Sequence, residues 1–178
     1  MKFSETKLGG VHTIELEPIG DERGFFSRFW CCKELEAQGL FFEIAQINTS
    51  YNANAGTVRG FHYQRDPHAE AKIVACTSGR VFDVAVDVRP DSPTYLNWFG
   101  AELSAENNRL LYIPAGFAHG YQALEDDSRM LYLISEFYAP DFESGLRYDD
   151  PAIGVAWPHE ITSVSDKDSK WALTADTS

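Results

Sequence analysis

The feature that most constrains this chain is a period-two alternation over Val81 to Arg89. Phe82, Val84, Val86 and Val88 fall on one side of an extended strand, with Val81, Asp83, Ala85 and Asp87 on the other. Short runs of the same kind recur at Ile14–Pro18, Ala45–Tyr51, Thr57–Gln64, Ala71–Thr77, Tyr95–Leu103, Leu110–Ile113, Gly120–Leu124 and Arg129–Tyr138. Turn-rich segments such as Arg89-Pro90-Asp91-Ser92-Pro93 separate them. Ser78-Gly79 reads as the turn of a hairpin that joins Ala71–Thr77 to the alternating run. Many short strands at this spacing predict an antiparallel sandwich or barrel. Helix signals are sparse, and one short helix is expected over Cys32–Gln38 with Gly39 as its stop. The Asp-Pro and Trp-Pro pairs near residues 150–158 predict an irregular tail from about residue 150.

Size and charge narrow the function classes. With 178 residues, 44% of them hydrophobic, the chain can bury a core as one domain spanning 1–178, and no repeat or linker divides it. A net charge of −12 argues against a nonspecific nucleic-acid binder and against an anionic membrane surface. An anionic ligand then needs a local basic pocket. No run approaches the roughly 18 apolar residues of a spanning helix, and MKFSETKLGGVHTIELEP lacks the apolar core of a signal peptide. Cys31, Cys32 and Cys76 give an odd count with two neighbours adjacent, which fits neither a disulfide framework nor a CxxC zinc site. Reduced thiols in a cytoplasmic protein are the expectation.

Three segments carry residues suited to chemistry. Arg59-Gly60-Phe61-His62-Tyr63-Gln64, followed by Lys72, puts polar and charged groups on a strand, where each must be solvated, paired or used. Strict alternation separates Arg59 from His62, and a bulge or close backbone approach at Gly60 is expected to reunite them. Taken alone, His62 also fits a satisfied core or rim histidine. The second segment, Pro114-x-Gly116-x-x-His119, resembles the second motif of cupin barrels, where the histidine normally binds metal. His62 and His119 are too few for the usual three or four ligands, so a metal-free site is expected. In the third, Tyr132, Ile134, Glu136 and Tyr138 share one face of an extended strand. That face is either the ligand side of a barrel or its solvent side.

Taken together, these segments resemble the deoxythymidine-diphosphate (dTDP) 4-dehydrorhamnose 3,5-epimerase family. The likeness runs in order from about residue 8 to about residue 170. It includes Asp21-Glu22-Arg23-Gly24-Phe25-Phe26, Gln46-Ile47-Asn48, the segment 59–64, Lys72, Asp83 through Arg89 and Ser92-Pro93-Thr94. It continues through Leu103 to Asn107, Ile113 to Gly120, Asp150-Pro151, Ile153-Gly154, Trp157-Pro158 and Lys167-Asp168. The resemblance implies an all-β, cupin-type jelly-roll barrel with a few short helices, usually a homodimer in which the neighbour supplies part of each site. It implies epimerisation at C3, C5 or both of a nucleotide-diphosphate 4-keto-6-deoxy sugar, most simply dTDP-linked, without a cofactor. By the family's motif positions His62 is the general base, Asp168 its orienting carboxylate, Tyr132 the general acid and Lys72 the enolate-stabilising cation. Arg23, Gln46, Asn48, Arg59, His119, Tyr138, Glu143 and Lys167 form the substrate-binding set. Arg28 stands where the family usually has glutamate and Tyr148 where it has tryptophan, and Leu133 and the Pro67–Ala71 segment also depart from its pattern. These differences leave the nucleobase and the number of inverted carbons open. A metal-dependent cupin enzyme and a non-catalytic sugar-nucleotide binding module are the competing readings.

Overall fold

The computed structural model describes residues 1–176. The strands are β1 (Lys2–Glu5), β2 (His12–Glu15), β3 (Ile19–Asp21), β4 (Gly24–Phe26), β5 (Gln46–Asn52), β6 (Val58–Gln64) and β7 (Lys72–Ser78), then β8 (Arg80–Asp87), β9 (Trp98–Ser104), β10 (Arg109–Ile113), β11 (Phe117–Ala123), β12 (Ser128–Ile134) and β13 (Glu143–Gly145). Two short helices, α1 (Cys32–Glu36) and α2 (Asp166–Ser169), complete the set apart from single 3-10 turns. Strands β1-β2-β10-β7-β12-β5 form one sheet and β13-β6-β11-β8-β9 a second, while β3 and β4 make a separate hairpin. All pairs within these sheets are antiparallel. The jelly-roll expectation is met.

The alternation over Val81–Val88 has its explanation in three apolar layers. Val81 and Ala85 face a central core shared by both sheets, where they join Val74, Leu111, Phe117 and Met130. Val84 and Val86 face outward into a second cluster, joined by Phe61 of β6 and covered by Ile153 and Trp157 from the C-terminal segment. A third cluster lies on the outer side of the six-stranded sheet, where Leu35 of α1 and Phe42 cover Ile73, Leu110 and Leu133. Leu35 is 1% exposed, and burying a leucine contributes about 1.5–3 kcal/mol. It is the anchor of a helix too short to persist alone.

Several boundaries differ from the sequence expectations. Ser78-Gly79 is not a hairpin turn, because β7 and β8 lie in different sheets. It is a corner: Gly79 adopts φ +71, an added Cβ would meet Ser128 Oγ at 2.5 Å, and the chain passes from one layer to the other. β12 ends at Ile134, so Glu136 and Tyr138 lie beyond the strand that was to hold them. β9 begins at Trp98 because Thr94–Asn97 forms a turn, with Leu96 at φ 61. β11 begins earlier, at Phe117, which puts His119 within it. The strands β1, β3, β4 and β13 were not foreseen, nor was α2 within the otherwise irregular tail. Among the described residues, no helix is long and apolar enough to cross a membrane.

Candidate active site

The pleat of the facing sheets turns one set of polar side chains into the space between them. From the six-stranded sheet come Asn48, Ser50, Lys72 and Tyr132, and from the five-stranded sheet Arg59, His62, His119 and Tyr121, lining a cavity of about 270 Å3. It adjoins a second lobe of about 160 Å3 that shares Asn48, His62, Lys72 and Ile134 and adds Gln46, Glu70, Glu136, Tyr138 and Glu143.

A bulge brings Arg59 and His62 onto the same side. β11 pairs His119 with His62 and Tyr121 with Arg59, so Gly60 and Phe61 together oppose Gly120. Gly60 adopts φ +123, and a Cβ there would lie 2.5 Å from Gly120 Cα. Only glycine allows this approach. Phe61 points outward and stacks on Trp157 at 5.7 Å.

His62 is held from the far end of the chain. Its Nε2 lies 2.6 Å from Asp168 Oδ1, while Asp168 Oδ2 accepts from the Gly60 amide at 3.2 Å. Asp168 sits on α2, whose N-terminus is capped when the Asp168 amide donates to Ser165 Oγ at 3.0 Å. Burial alone would raise the Asp168 carboxyl. The hydrogen bond and charge of His62, with help from Gly60 and Ser165, outweigh it and hold the group below the usual carboxylate range.

Tyr132 projects from the opposite sheet and shares a hydrogen bond with Ser50 Oγ at 2.9 Å, which in turn meets Tyr121 OH at 2.9 Å. Tyr121 donates to Asn52 Oδ1, and Arg59 Nε donates to the same oxygen at 2.9 Å. Burial, reinforced by Tyr121, pushes the Tyr132 phenol well above its ordinary value, so it keeps its proton. His119 is buried with Nε2 2.9 Å from Asp83 Oδ2, and its ring lies 6.0 Å from that of Tyr132. The open question about the Tyr132 face is thereby answered. Tyr132 looks inward, and Leu131 and Leu133 look toward α1.

Lys72 is buried; its Nζ lies 2.9 Å from Glu70 Oε1 and donates to His62 O at 3.1 Å. On the rim, Tyr138 OH donates to Glu143 Oε2 at 2.9 Å and Lys167 pairs with Glu143 Oε1. Gln46 Oε1 accepts from the Tyr138 amide at 3.1 Å. Of the residues expected from the sequence, Arg23 alone lies elsewhere. It is exposed on the β3–β4 hairpin, pairs with Asp21, and lines a separate hollow with Ile19, Phe25 and Phe26. The sequence reading missed Glu70, Asp83, Ser50 and Tyr121. Glu70 stands two positions before Lys72, so a period-two search for paired charges flags it, and Asp83 is a lone charge in an otherwise apolar run.

The fold and cavity define a cupin-type jelly roll whose interior holds a carboxylate-oriented imidazole and a protonated phenol on facing sheets, equipment for proton transfer. Comparison with known proteins narrows that class. A family model described as dTDP-4-dehydrorhamnose 3,5-epimerase matches residues 5–176. The dTDP-4-dehydrorhamnose 3,5-epimerase of Sinorhizobium fredii is 45% identical over 170 residues, covering 95% of this chain and 87% of that protein. The crystal structure of the Bacillus anthracis enzyme of that name, with TDP and PPi bound, superposes with a TM-score of 0.92 at 40% identity, covering 97% of this chain and 98% of that one. A Legionella pneumophila dTDP-6-deoxy-D-glucose-3,5-epimerase in complex with dTDP-4-keto-L-rhamnose gives a TM-score of 0.89 at 38% identity, covering 94% and 89%. The chain belongs to the dTDP-4-dehydrorhamnose 3,5-epimerase family.

Proposed function

We propose that the chain, acting as one domain, epimerises a dTDP-linked 4-keto-6-deoxy sugar at C3, C5 or both, through an enolate. The observation that carries this reading is the shared cavity, with His62 on one sheet and Tyr132 and Lys72 on the other. A carbon beside a ketone releases its proton only if the charge moving onto the oxygen is stabilised, the role given to Lys72. His62 takes the proton, and Asp168 fixes its tautomer and stabilises the imidazolium. Inversion needs a donor on the other side of the ring, the role given to Tyr132. Its retained proton fits that role.

Gln46, Asn48, Arg59, His119, Tyr138, Glu143 and Lys167 form the binding surface for nucleotide and diphosphate, with the Arg59 fork suited to phosphate oxygens. Family membership favours this reading over a metal-dependent cupin or a non-catalytic binding module. The thymidine assignment is supported by the Legionella relative's ligand. A homodimer in which each protomer lends Arg23 to its neighbour is supported by the exposure of Ile19, Phe25 and Phe26 around it, at 75%, 61% and 74%. Free Cys31, Cys32 and Cys76 fit a reducing cytoplasm.

The test is incubation with dTDP-4-keto-6-deoxyglucose in heavy water. Deuterium at C3 and C5 identifies a double epimerase, and deuterium at one carbon a single one. No exchange with any nucleotide-linked 4-keto sugar leaves the binding module in place.

A further inference from the structure

We propose that Glu70 is a positioning residue for the reaction, holding the Lys72 ammonium in a fixed orientation at the cavity and balancing its charge. The proposal rests on the reading of Lys72 as the enolate-stabilising cation. Glu70 immediately precedes Ala71 and β7, and its side chain is 6% exposed. Both carboxylate oxygens are engaged: Oε1 lies 2.9 Å from Lys72 Nζ, and Oε2 accepts from the Gln64 amide at 3.0 Å. The carboxylate therefore ties the end of β6 to the start of β7, on either side of the adjoining lobe it lines.

An ammonium has three donors. Glu70 Oε1 and His62 O occupy two of them, which leaves one for a ligand oxygen in the cavity that Lys72 lines. A free lysine head would sample many rotamers and swing between acceptors. This one is oriented before substrate arrives. A buried cation without a counter-ion is also costly, and Glu70 supplies the opposite charge at 2.9 Å. The other titratable groups around the two lobes are His62, Tyr63, Glu136, Tyr138 and Glu143, with Arg59, His119, Tyr121 and Tyr132 deeper in. Glu70 is the carboxylate in ion-pair contact with Lys72.

Glu70→Gln keeps an acceptor for the Gln64 amide and removes the charge. In heavy-water exchange measured from about pH 6 to 10, we expect kcat to fall about ten- to a hundredfold with KM little changed. The alkaline limb of the kcat profile moves down by about one pH unit or more, and Glu70→Asp restores most of both. A purely structural role would lower the yield of folded enzyme and leave that limb in place. A Glu70→Gln enzyme with wild-type kcat and limb overturns the proposal. If Glu70→Gln does not fold, Glu70→Ala, which also removes the charge, carries the same measurement, and a wild-type kcat and limb there overturn the idea. Lys72→Gln separates the two levels of inference. Loss of exchange there with an unaltered Glu70→Gln removes only the role of Glu70, whereas full exchange in Lys72→Gln removes the reading of Lys72 itself. Glu70→Gln/Lys72→Gln provides that control with neither charge left buried alone.

Discussion

His62 Nε2 and Asp168 Oδ1 lie 2.6 Å apart although 106 positions separate the residues in the chain. The carboxylate is held below its usual range, so it is ionised at neutral pH and ready to stabilise an imidazolium. Asp168→Asn keeps an acceptor for the Gly60 amide but no longer selects the tautomer. The expected loss in kcat/KM is about a hundred- to ten-thousandfold with the fold retained, and His62→Ala abolishes exchange altogether. Heavy-water exchange followed by proton NMR measures both. Undiminished exchange in Asp168→Asn breaks the dyad assignment.

Tyr132→Phe separates proton removal from proton return. The substitution removes a phenol bonded to Ser50, costing about 1 kcal/mol of stability. Deuterium still enters the sugar, because the base is intact, but inversion at C5 is impaired. Product analysis by NMR is the check, and full formation of the epimerised product refutes Tyr132 as the acid.

Gly60→Ala tests the bulge. A methyl group there would lie 2.5 Å from Gly120 Cα and 2.8 Å from His119 O, in a left-handed conformation. Both contacts are to backbone, so strands β6 and β11 must part. We expect a loss of about 1–3 kcal/mol in stability, with activity falling as Arg59 and His62 lose their common side. Gly9→Ala, with nothing within 4 Å of its added Cβ, should stay within about 0.5 kcal/mol. Equal melting temperatures for the two variants dispose of the argument.

Stability in acid should track Asp87. Burial alone would raise its carboxyl, but hydrogen bonds from Arg89, Ser92 and Thr94 outweigh that and hold it far below the usual range. A carboxylate lowered in the folded state stabilises the protein above its unfolded value of about 3.9, and loses that contribution as pH falls through the folded value. Asp168 acts in the same direction. Urea unfolding between about pH 7 and 3 should therefore show a steeper acid decline in the wild type than in Asp87→Asn, which starts lower. Parallel curves would rule Asp87 out as a source of the decline.

How much of this was legible follows from the range of each interaction. The alternation of β8 announced a strand, since its spacing is local, but not that both of its sides would be buried. It could not tell that Gly79 turns the chain into another sheet, because a tight turn looks the same at a hairpin and at a corner. The cost of Arg59, His62 and Gln64 on one strand marked β6 as a site. Asp168, by contrast, lies in an ordinary polar stretch, and only family resemblance drew attention to it. The inward face of Tyr132 was undecidable from period two, and the apolar cover that α1 lays over Leu131 and Leu133 decides it.

Arg23 bears on the assembly. It lies on the β3–β4 hairpin, away from the cavity of its own chain, with Asp21 as its partner. If the neighbouring protomer supplies it, Arg23→Ala and His62→Ala variants should complement one another. In a mixed two-fold dimer, one site combines an intact His62 with an intact Arg23, and the other lacks both. Random exchange of protomers makes about half the dimers mixed, so activity should recover to about a quarter of the wild-type value. Steady-state assays after dissociation and reassociation of equal amounts measure this. Recovery no greater than the mean of the two variants places Arg23 outside the neighbour's site. A two-fold dimer cannot restore a site whose two residues act within one chain.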